Sequence, residues 1–139
     1  MNKTYNKQED NLKIFIADFL NKKYPNIPFS MQWDHLKLPI SVAVKLKRMR
    51  WNKPDFVWPD IFIYAKLQPI FGGRVSGLFL EVKKNKEALF DKNGFMRKNA
   101  HIIKQNNSLI LLRELNYAAE FVWSPEVAAE TIDRYLSPL

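Results

Sequence analysis

The segment LFLEVKK, residues 78–84, constrains the fold more than any other part of the chain. Its short apolar run predicts a buried β-strand, in which successive side chains point to opposite faces of the sheet. Glu81 and Lys83 are then neighbours on the face that also carries Phe79. A charged pair at this place is either ordinary surface or part of a functional site, and the remaining sequence bears on which of the two it is.

Helical and extended patterns alternate along the first half of the chain. Apolar residues at helical spacing between positions 12 and 20 predict a first helix, which Asn6 could cap and Pro25 ends. A short extended piece is expected at about 27–33. The segment SVAVKLKRMRW then predicts a second helix, with Ser41 as its N-cap.

The second half of the chain predicts a hairpin, then a helix, a strand and a last helix. The β-branched and aromatic run IFIY at 61–64 should pair antiparallel with the strand at 78–82. A third helix is expected at about 98–115, a strand at 117–123, and a last helix capped by Ser124. The order α, β, α, β, β, α, β, α predicts an α/β sandwich around a mixed sheet.

Length and composition narrow the class of protein. The 139 residues suggest a single domain spanning 1–139, and 47% hydrophobic residues are enough for one core. The absence of cysteine excludes disulfides and thiolate zinc sites. No signal-peptide pattern is visible and no apolar run approaches the ~20 residues of a membrane span, so a soluble cytoplasmic protein is expected. The net charge of +8 favours a polyanionic partner, with nucleic acid as the first candidate.

Four polar residues stand where a plain core would not place them. Asp60 opens the strand in WPDIFIY, Glu81 and Lys83 lie near the end of the next strand, and Gln105 is on the inward face of the third helix. Glu9, at the edge of the first helix's apolar stripe, is a fifth candidate. Mg²⁺ takes one or two carboxylates together with water and phosphate oxygens, and a nearby lysine can position or deprotonate an attacking water. The set therefore suits metal-dependent hydrolysis of a phosphodiester.

The same positions carry a resemblance to a known family. PD at 59–60 and EVK at 81–83 resemble the PD-(D/E)XK nuclease signature, and AVKLKRMRWNKPDFVWPDIFI resembles the basic helix that leads into "PDLFI" in its VRR-NUC branch. HIIKQNNSLILLRELNYAAEF resembles the phage-type ending of that branch, and SPEVAAETIDRYL resembles its final helix. The likeness covers roughly residues 9–137. It implies a restriction-endonuclease-like α/β sandwich with a central mixed β-sheet flanked by helices.

The resemblance also implies a role for each matching residue and a cofactor, Mg²⁺, for which Mn²⁺ would substitute. The metal ligands would be Asp60, Glu81, the backbone carbonyl of Val82, and Glu9, and the catalytic set would be Asp60, Glu81, Lys83 and Gln105. One departure is Asn116, which stands where the family usually has glycine before a tyrosine. Asparagine tolerates the left-handed conformation that a helix end needs, so this departure is mild.

The activity implied is that of a metal-dependent endonuclease acting on DNA, structure-selective and of phage or prophage type. Branched DNA is a candidate substrate, and a homodimer could place two sites on opposite strands. The residues expected to contact phosphate, unless they form only a solvated face, are Lys45, Lys47, Arg48, Arg50, Lys53 and Lys84. Three tryptophans either stack on bases or belong to the core or an interface: Trp33, Trp51 and Trp58.

Two other classes of function stay open at this point. The chain could be a non-catalytic nucleic-acid-binding module on the same fold, although a binder has no need of the full polar set. It could also be a protein-interaction subunit that uses its aromatic residues as an interface. DNA binding without cleavage would favour the first, and salt-insensitive or absent DNA binding would favour the second.

Overall fold

The computed structural model describes residues 7–32, 38–65 and 76–137. In chain order the elements are α1 (Lys7–Lys23), β1 (Phe29–Met31), α2 (Ile40–Met49), β2 (Ile61–Ile63), β3 (Leu78–Val82), a short 3₁₀ turn (Lys86–Ala88), α3 (Ala100–Glu114), β4 (Ala118–Val122) and α4 (Pro125–Leu136). The predicted order of helices and strands is confirmed, with the 3₁₀ turn as an addition. The predicted cap Asn6 lies outside the described residues.

The four strands form one mixed sheet in the order β1-β2-β3-β4. β1 pairs antiparallel with β2, and β2 pairs antiparallel with β3, so the predicted hairpin pairing is confirmed. β4 runs parallel to β3 over its whole length, from Leu78 opposite Ala118 to Val82 opposite Val122. The long crossover through α3 makes this parallel pairing possible, because parallel neighbours cannot be joined by a tight turn.

Helices cover the sheet on both faces, which makes the architecture an α/β sandwich. One apolar core joins the buried residues of α1 and α4 to one face of the sheet, including Leu78, Leu80 and Val82. A second core joins those of α3 to the opposite face, including Phe79. Every residue of β3 is buried. Because its two faces look into two different cores, the polar side chain of Glu81 is enclosed inside the protein.

Two of the helix starts follow from local side chains. The Asn99 side chain accepts a hydrogen bond from the Ile102 N–H at the start of α3, and the Ser124 side chain accepts one from the Val127 N–H at the start of α4. Each satisfies one of the backbone donors that a helix start leaves unpaired. The predicted cap at Ser124 is therefore confirmed.

The predicted cap of α2 is wrong. The helix begins at Ile40 with Pro39 in the N-cap position, and no side chain caps it there, so Ser41 lies inside the helix. Pro39 has a φ of −53°, and its carbonyl accepts the first helical hydrogen bond from the Ala43 N–H. The proline ring fixes a backbone angle that suits a helix start, and the N-cap lies two residues earlier than predicted.

Asn116 takes the left-handed conformation predicted for it. Its φ is 69°, and it follows Leu115, the C-cap of α3. The Tyr117 N–H then bonds back to the Leu112 carbonyl at 3.0 Å, and the chain turns into β4. Asparagine is one of the few residues that adopt this conformation without a large penalty.

Arg113 covers part of the outer side of β4, which is an edge strand of the described sheet. Its Nε and Nη2 atoms both donate to the Ala119 carbonyl oxygen, at 2.9 and 2.6 Å. The carbonyl oxygen of Ala119, on the open side of the strand, therefore already accepts hydrogen bonds from Arg113. Separately, none of the helices in the three described ranges combines the length and apolar character that a membrane span requires.

Candidate functional site

Sheet register brings two carboxylates together at one end of β2 and β3. Ile61 lies opposite Leu80 in this antiparallel pair, so continuing the register by one residue puts Asp60 beside Glu81. Asp60 Oδ2 accepts a hydrogen bond from the Val82 N–H at 2.8 Å, which anchors the carboxylate to the neighbouring strand. Glu81 itself is only 5% exposed. Two of the predicted site residues therefore lie next to each other.

Gln105 reaches the same carboxylates from α3, as its predicted inward position requires. It is buried, and its Nε2 donates to Glu81 Oε1 at 2.6 Å. In this orientation the NH₂ end of the amide donates and the carboxylate oxygen accepts. The other end, Oε1, is buried with no hydrogen-bond partner among the described residues. A buried acceptor without a partner costs about 1–3 kcal/mol, and such a group is available to a ligand.

Lys83 is the first residue after β3. It carries a second buried charge and is only 6% exposed. Its backbone N–H donates to the Val122 carbonyl at 2.8 Å, which continues the pairing with β4 and holds the residue in line with the strand. Its ammonium group lies close enough to Glu81 and to Glu9 to stabilise the charged form of both. The alternation that put Glu81 and Lys83 on one face in the sequence therefore places them in one cluster.

Burial and like charge act together on the acids. Burial raises the pKa of Glu81 well above its ordinary value, the charge of Asp60 raises it further, and Lys83 opposes both. Burial also raises the pKa of Glu9, with Asp60 as the next cause and Lys83 and Lys13 in opposition. Both acids would ionise more easily beside an added cation. Perturbed groups of this kind concentrate at functional sites.

Lys13 is a member of the cluster that the sequence reasoning missed. Its Nζ lies 3.4 Å from Asp60 Oδ1, and the two side chains are 16% and 18% exposed. The available signal was its place on the first helix, four residues after Glu9, where side chains share a face. The sequence did not show that this face of α1 reaches Asp60.

The donor atoms suit a hard divalent cation. Asp60, Glu81 and the unpaired Gln105 Oε1 supply oxygen only, which is the ligand type that Mg²⁺ prefers. Within the described ranges, no group of three or more His, Cys, Asp or Glu side chains is arranged to hold a metal ion. A cation here would therefore rely on two carboxylates, neutral oxygens and water, and the roles of Glu9 and of the Val82 carbonyl as ligands stay predictions.

The residues predicted to bind nucleic acid lie on exposed surface, and none is buried. Their role in binding phosphate stays a prediction. α2, which carries three of them, has no buried residue along its whole length. The six are Lys45, Lys47, Arg48, Arg50, Lys53 and Lys84.

Two of the three tryptophans form an aromatic cluster after α2. Trp51 and Trp58 both make edge contacts with Phe56, with ring centroids 5.1 and 4.9 Å apart. They remain 51% and 41% exposed, so each ring packs on one side and is accessible on the other. Trp33 lies outside the described residues.

A cavity of about 630 Å³ lies elsewhere, before the start of α3. Its lining residues belong to the segment 91–99, and no member of the carboxylate cluster is among them. The size of a cavity therefore does not identify the site in this protein. The cluster around Glu81 is distinguished by its burial and its hydrogen bonds, and its role as the functional site stays a prediction.

Comparison with known proteins supports the architecture. No protein-family model matches the chain, and no curated protein matches it. The fold is similar to that of a VRR_NUC domain protein. A solved structure of that name aligns with a TM-score of 0.53 and 19% sequence identity, over 95% of this chain and 90% of the other. At this identity the likeness to the VRR_NUC structure establishes the fold, and the role of each residue rests on the geometry above.

Proposed function

We propose that this protein is a metal-dependent nuclease that hydrolyses phosphodiester bonds of DNA. The observation that carries the proposal is the surrounding of Glu81, a buried carboxylate beside Asp60, bonded to Gln105 and near the buried Lys83. A binding module or a structural protein gains nothing from enclosing these groups, because their desolvation costs several kcal/mol. The similarity of the fold to that of a VRR_NUC domain protein also favours nuclease chemistry, as an argument by analogy.

In this proposal Asp60, Glu81 and Gln105 Oε1 hold a Mg²⁺ ion, with Mn²⁺ as a substitute. A bound cation of this kind polarises a phosphate oxygen and lowers the pKa of a bound water. Asp60 can serve because the Val82 N–H fixes one of its oxygens and thereby aims the other. Gln105 holds Glu81 in place through Nε2 and offers its second polar atom to the ion or to water.

Lys83 would act on the reacting phosphate or on the attacking water. Its side chain is enclosed with Glu81, so its orientation is set by packing and not by solvent. An ammonium group in that position can hold a water in line with the phosphorus and stabilise negative charge that develops on the phosphate. The exposed basic residues of α2 would bind the DNA backbone and orient it.

Cleavage assays with matched variants test this function. Supercoiled plasmid and a four-way junction are incubated with Mg²⁺ or Mn²⁺, and wild type is compared with Glu81→Ala and Lys83→Ala. Lys86→Ala is the control for Lys83, because it removes a nearby exposed lysine that belongs neither to the carboxylate cluster nor to the residues predicted to bind phosphate. We expect metal-dependent cutting that both site variants lose and that the control keeps in large part. A Lys83→Ala protein that cleaves as fast as wild type would contradict the role of Lys83.

Finer features of the activity are part of the same proposal. Structure-selective cutting predicts faster cleavage of the junction than of linear duplex, as suits a phage or prophage enzyme of replication, repair or packaging. A homodimer would cut both strands in one encounter, which converts supercoiled plasmid directly to the linear form. If the folded wild type binds DNA but cuts no substrate with any divalent metal, the protein is a nucleic-acid-binding module instead.

A further inference from the structure

We propose that Lys13 is a built-in counter-ion of the carboxylate cluster, which a divalent metal has to displace, and that Lys13 thereby sets the metal affinity. The inference rests on the proposed function in that it takes the cluster to be the metal site. It assigns to Lys13 a part that neither the fold nor the sequence motif gives it. Lys13 is a positioning residue in this view, since it acts through Asp60.

The two oxygens of Asp60 have different partners. Oδ2 accepts the Val82 N–H at 2.8 Å, and this bond belongs to the strand pairing that holds the site together. Oδ1 faces the Lys13 ammonium group at 3.4 Å. The lysine therefore stands at the oxygen that the backbone leaves open, which is the one that a metal ion would use. A lysine at this oxygen opposes a metal ion there, because two positive charges so close together repel each other.

The charge of the cluster supports displacement. Three carboxylates, Glu9, Asp60 and Glu81, influence one another there, and two ammonium groups, Lys13 and Lys83, oppose them. A divalent cation added to this set would leave excess positive charge unless one ammonium group moved away. Two cations placed side by side in a partly buried site repel each other strongly.

Lys13 is the ammonium group that is able to leave. Its side chain is 16% exposed and lies on α1, whereas Lys83 is 6% exposed at the end of a strand buried on both faces. A lysine has a flexible four-carbon stem and a strongly hydrated head, so a small rotation can return its charge to water. Lys83 is more deeply enclosed and has less room to do the same.

The test compares Lys13→Met with Lys23→Met in metal-binding experiments without DNA. Lys23 is the matched control because it lies on the same helix and pairs with Asp133 at 2.9 Å, and neither residue belongs to the carboxylate cluster. Mn²⁺ is titrated calorimetrically into metal-stripped full-length protein. We expect Lys13→Met to bind Mn²⁺ about three- to tenfold more tightly than wild type, the effect of one partly buried ion pair. Lys23→Met should bind as wild type does.

A second measurement uses the wild-type protein and so does not depend on a variant that folds. During Mg²⁺ titration, NMR signals of the lysine side chains should shift for Lys13 and stay unchanged for Lys23. In the variants, Lys13→Met should also have a lower Tm than wild type without metal and a larger increase in Tm when metal is added, because its unpaired carboxylates repel until the cation binds.

The outcomes separate this inference from the proposed function. If wild type binds Mn²⁺ and Glu81→Gln abolishes the binding, but Lys13→Met binds equally or more weakly, then Lys13 does not compete with the metal. The proposed function survives that result, and the counter-ion role is overturned. If wild type shows no saturable binding that depends on Glu81, both ideas are overturned. An NMR shift of Lys23 as large as that of Lys13 also contradicts the displacement.

Discussion

Replacing Glu81 by glutamine should make the metal-free protein more stable while it removes metal binding. The side chain is 5% exposed, and Asp60 and Glu9 place further negative charge around it. A glutamine at this position has nearly the same shape. Its oxygen still accepts the Gln105 Nε2 hydrogen bond, and its NH₂ group can donate toward Asp60. The substitution thus removes a buried charge without removing the contacts.

The size of the effect follows from the cost of enclosing the charge. An ion held in a protein interior carries a penalty of several kcal/mol, and Lys83 offsets part of that penalty here. We therefore expect the free energy of unfolding of Glu81→Gln to exceed that of wild type by about 1–3 kcal/mol at pH 8 without metal. For a domain of this size, each kcal/mol corresponds to roughly 3 °C, so Tm should rise by about 3–9 °C. With Mg²⁺ present, wild type should gain stability and the variant should not.

Urea denaturation and thermal melting, each with EDTA and with Mg²⁺, measure both effects. Glu120→Gln is the matched control, because Glu120 is a glutamate on the adjacent strand that is half-buried and accepts a hydrogen bond from the Tyr135 hydroxyl at 2.9 Å. The free energy of unfolding of that variant should equal that of wild type or be slightly lower, and Mg²⁺ should still stabilise it. If Glu81→Gln unfolds at a lower urea concentration than wild type in EDTA, the reasoning about a strained carboxylate cluster fails.

Three other predictions concern pH, DNA binding and the end of α3. Burial raises the pKa of Glu81, so the folded protein keeps a proton at a pH where the unfolded chain has lost it. The free energy of unfolding without metal should therefore fall as pH rises from the ordinary pKa of a glutamate to the raised one. Urea midpoints measured across pH should show this fall, and Glu81→Gln should lack it. Removing Arg48 and Arg50 together should weaken DNA binding and lower the slope of log K against log salt by about two, measured by fluorescence anisotropy, whereas Lys22→Ala should leave the slope unchanged. Asn116→Gly should stabilise the protein by up to about 1 kcal/mol in urea denaturation, because its φ of 69° suits glycine better; destabilisation would contradict this.

Most of the fold could be predicted because its signals are local. The alternation of side chains along a strand predicted that Glu81 and Lys83 share a face at the end of β3. Helical spacing predicted that Gln105 points inward from α3. The cap at Ser124 and the left-handed Asn116 depend only on their nearest neighbours along the chain. These features were confirmed because no distant contact competes with them.

The parts that were missed depend on distant or competing contacts. The pairing of Lys13 with Asp60 joins residues far apart in sequence, and it depends on how α1 packs against the sheet. The N-cap of α2 was wrong because Pro39 starts the helix through its backbone geometry, whereas the expectation considered only the hydroxyl of Ser41.

The contact of Arg113 with the edge of β4 limits how two copies of this protein can associate. An open edge strand usually invites a second strand to continue the sheet, and that route leads to uncontrolled polymers as easily as to dimers. Here the guanidinium group occupies the Ala119 carbonyl, so an incoming strand would have to displace two hydrogen bonds before forming its own. Association of two copies along β4 is therefore disfavoured relative to association through helices, loops or the β1 edge.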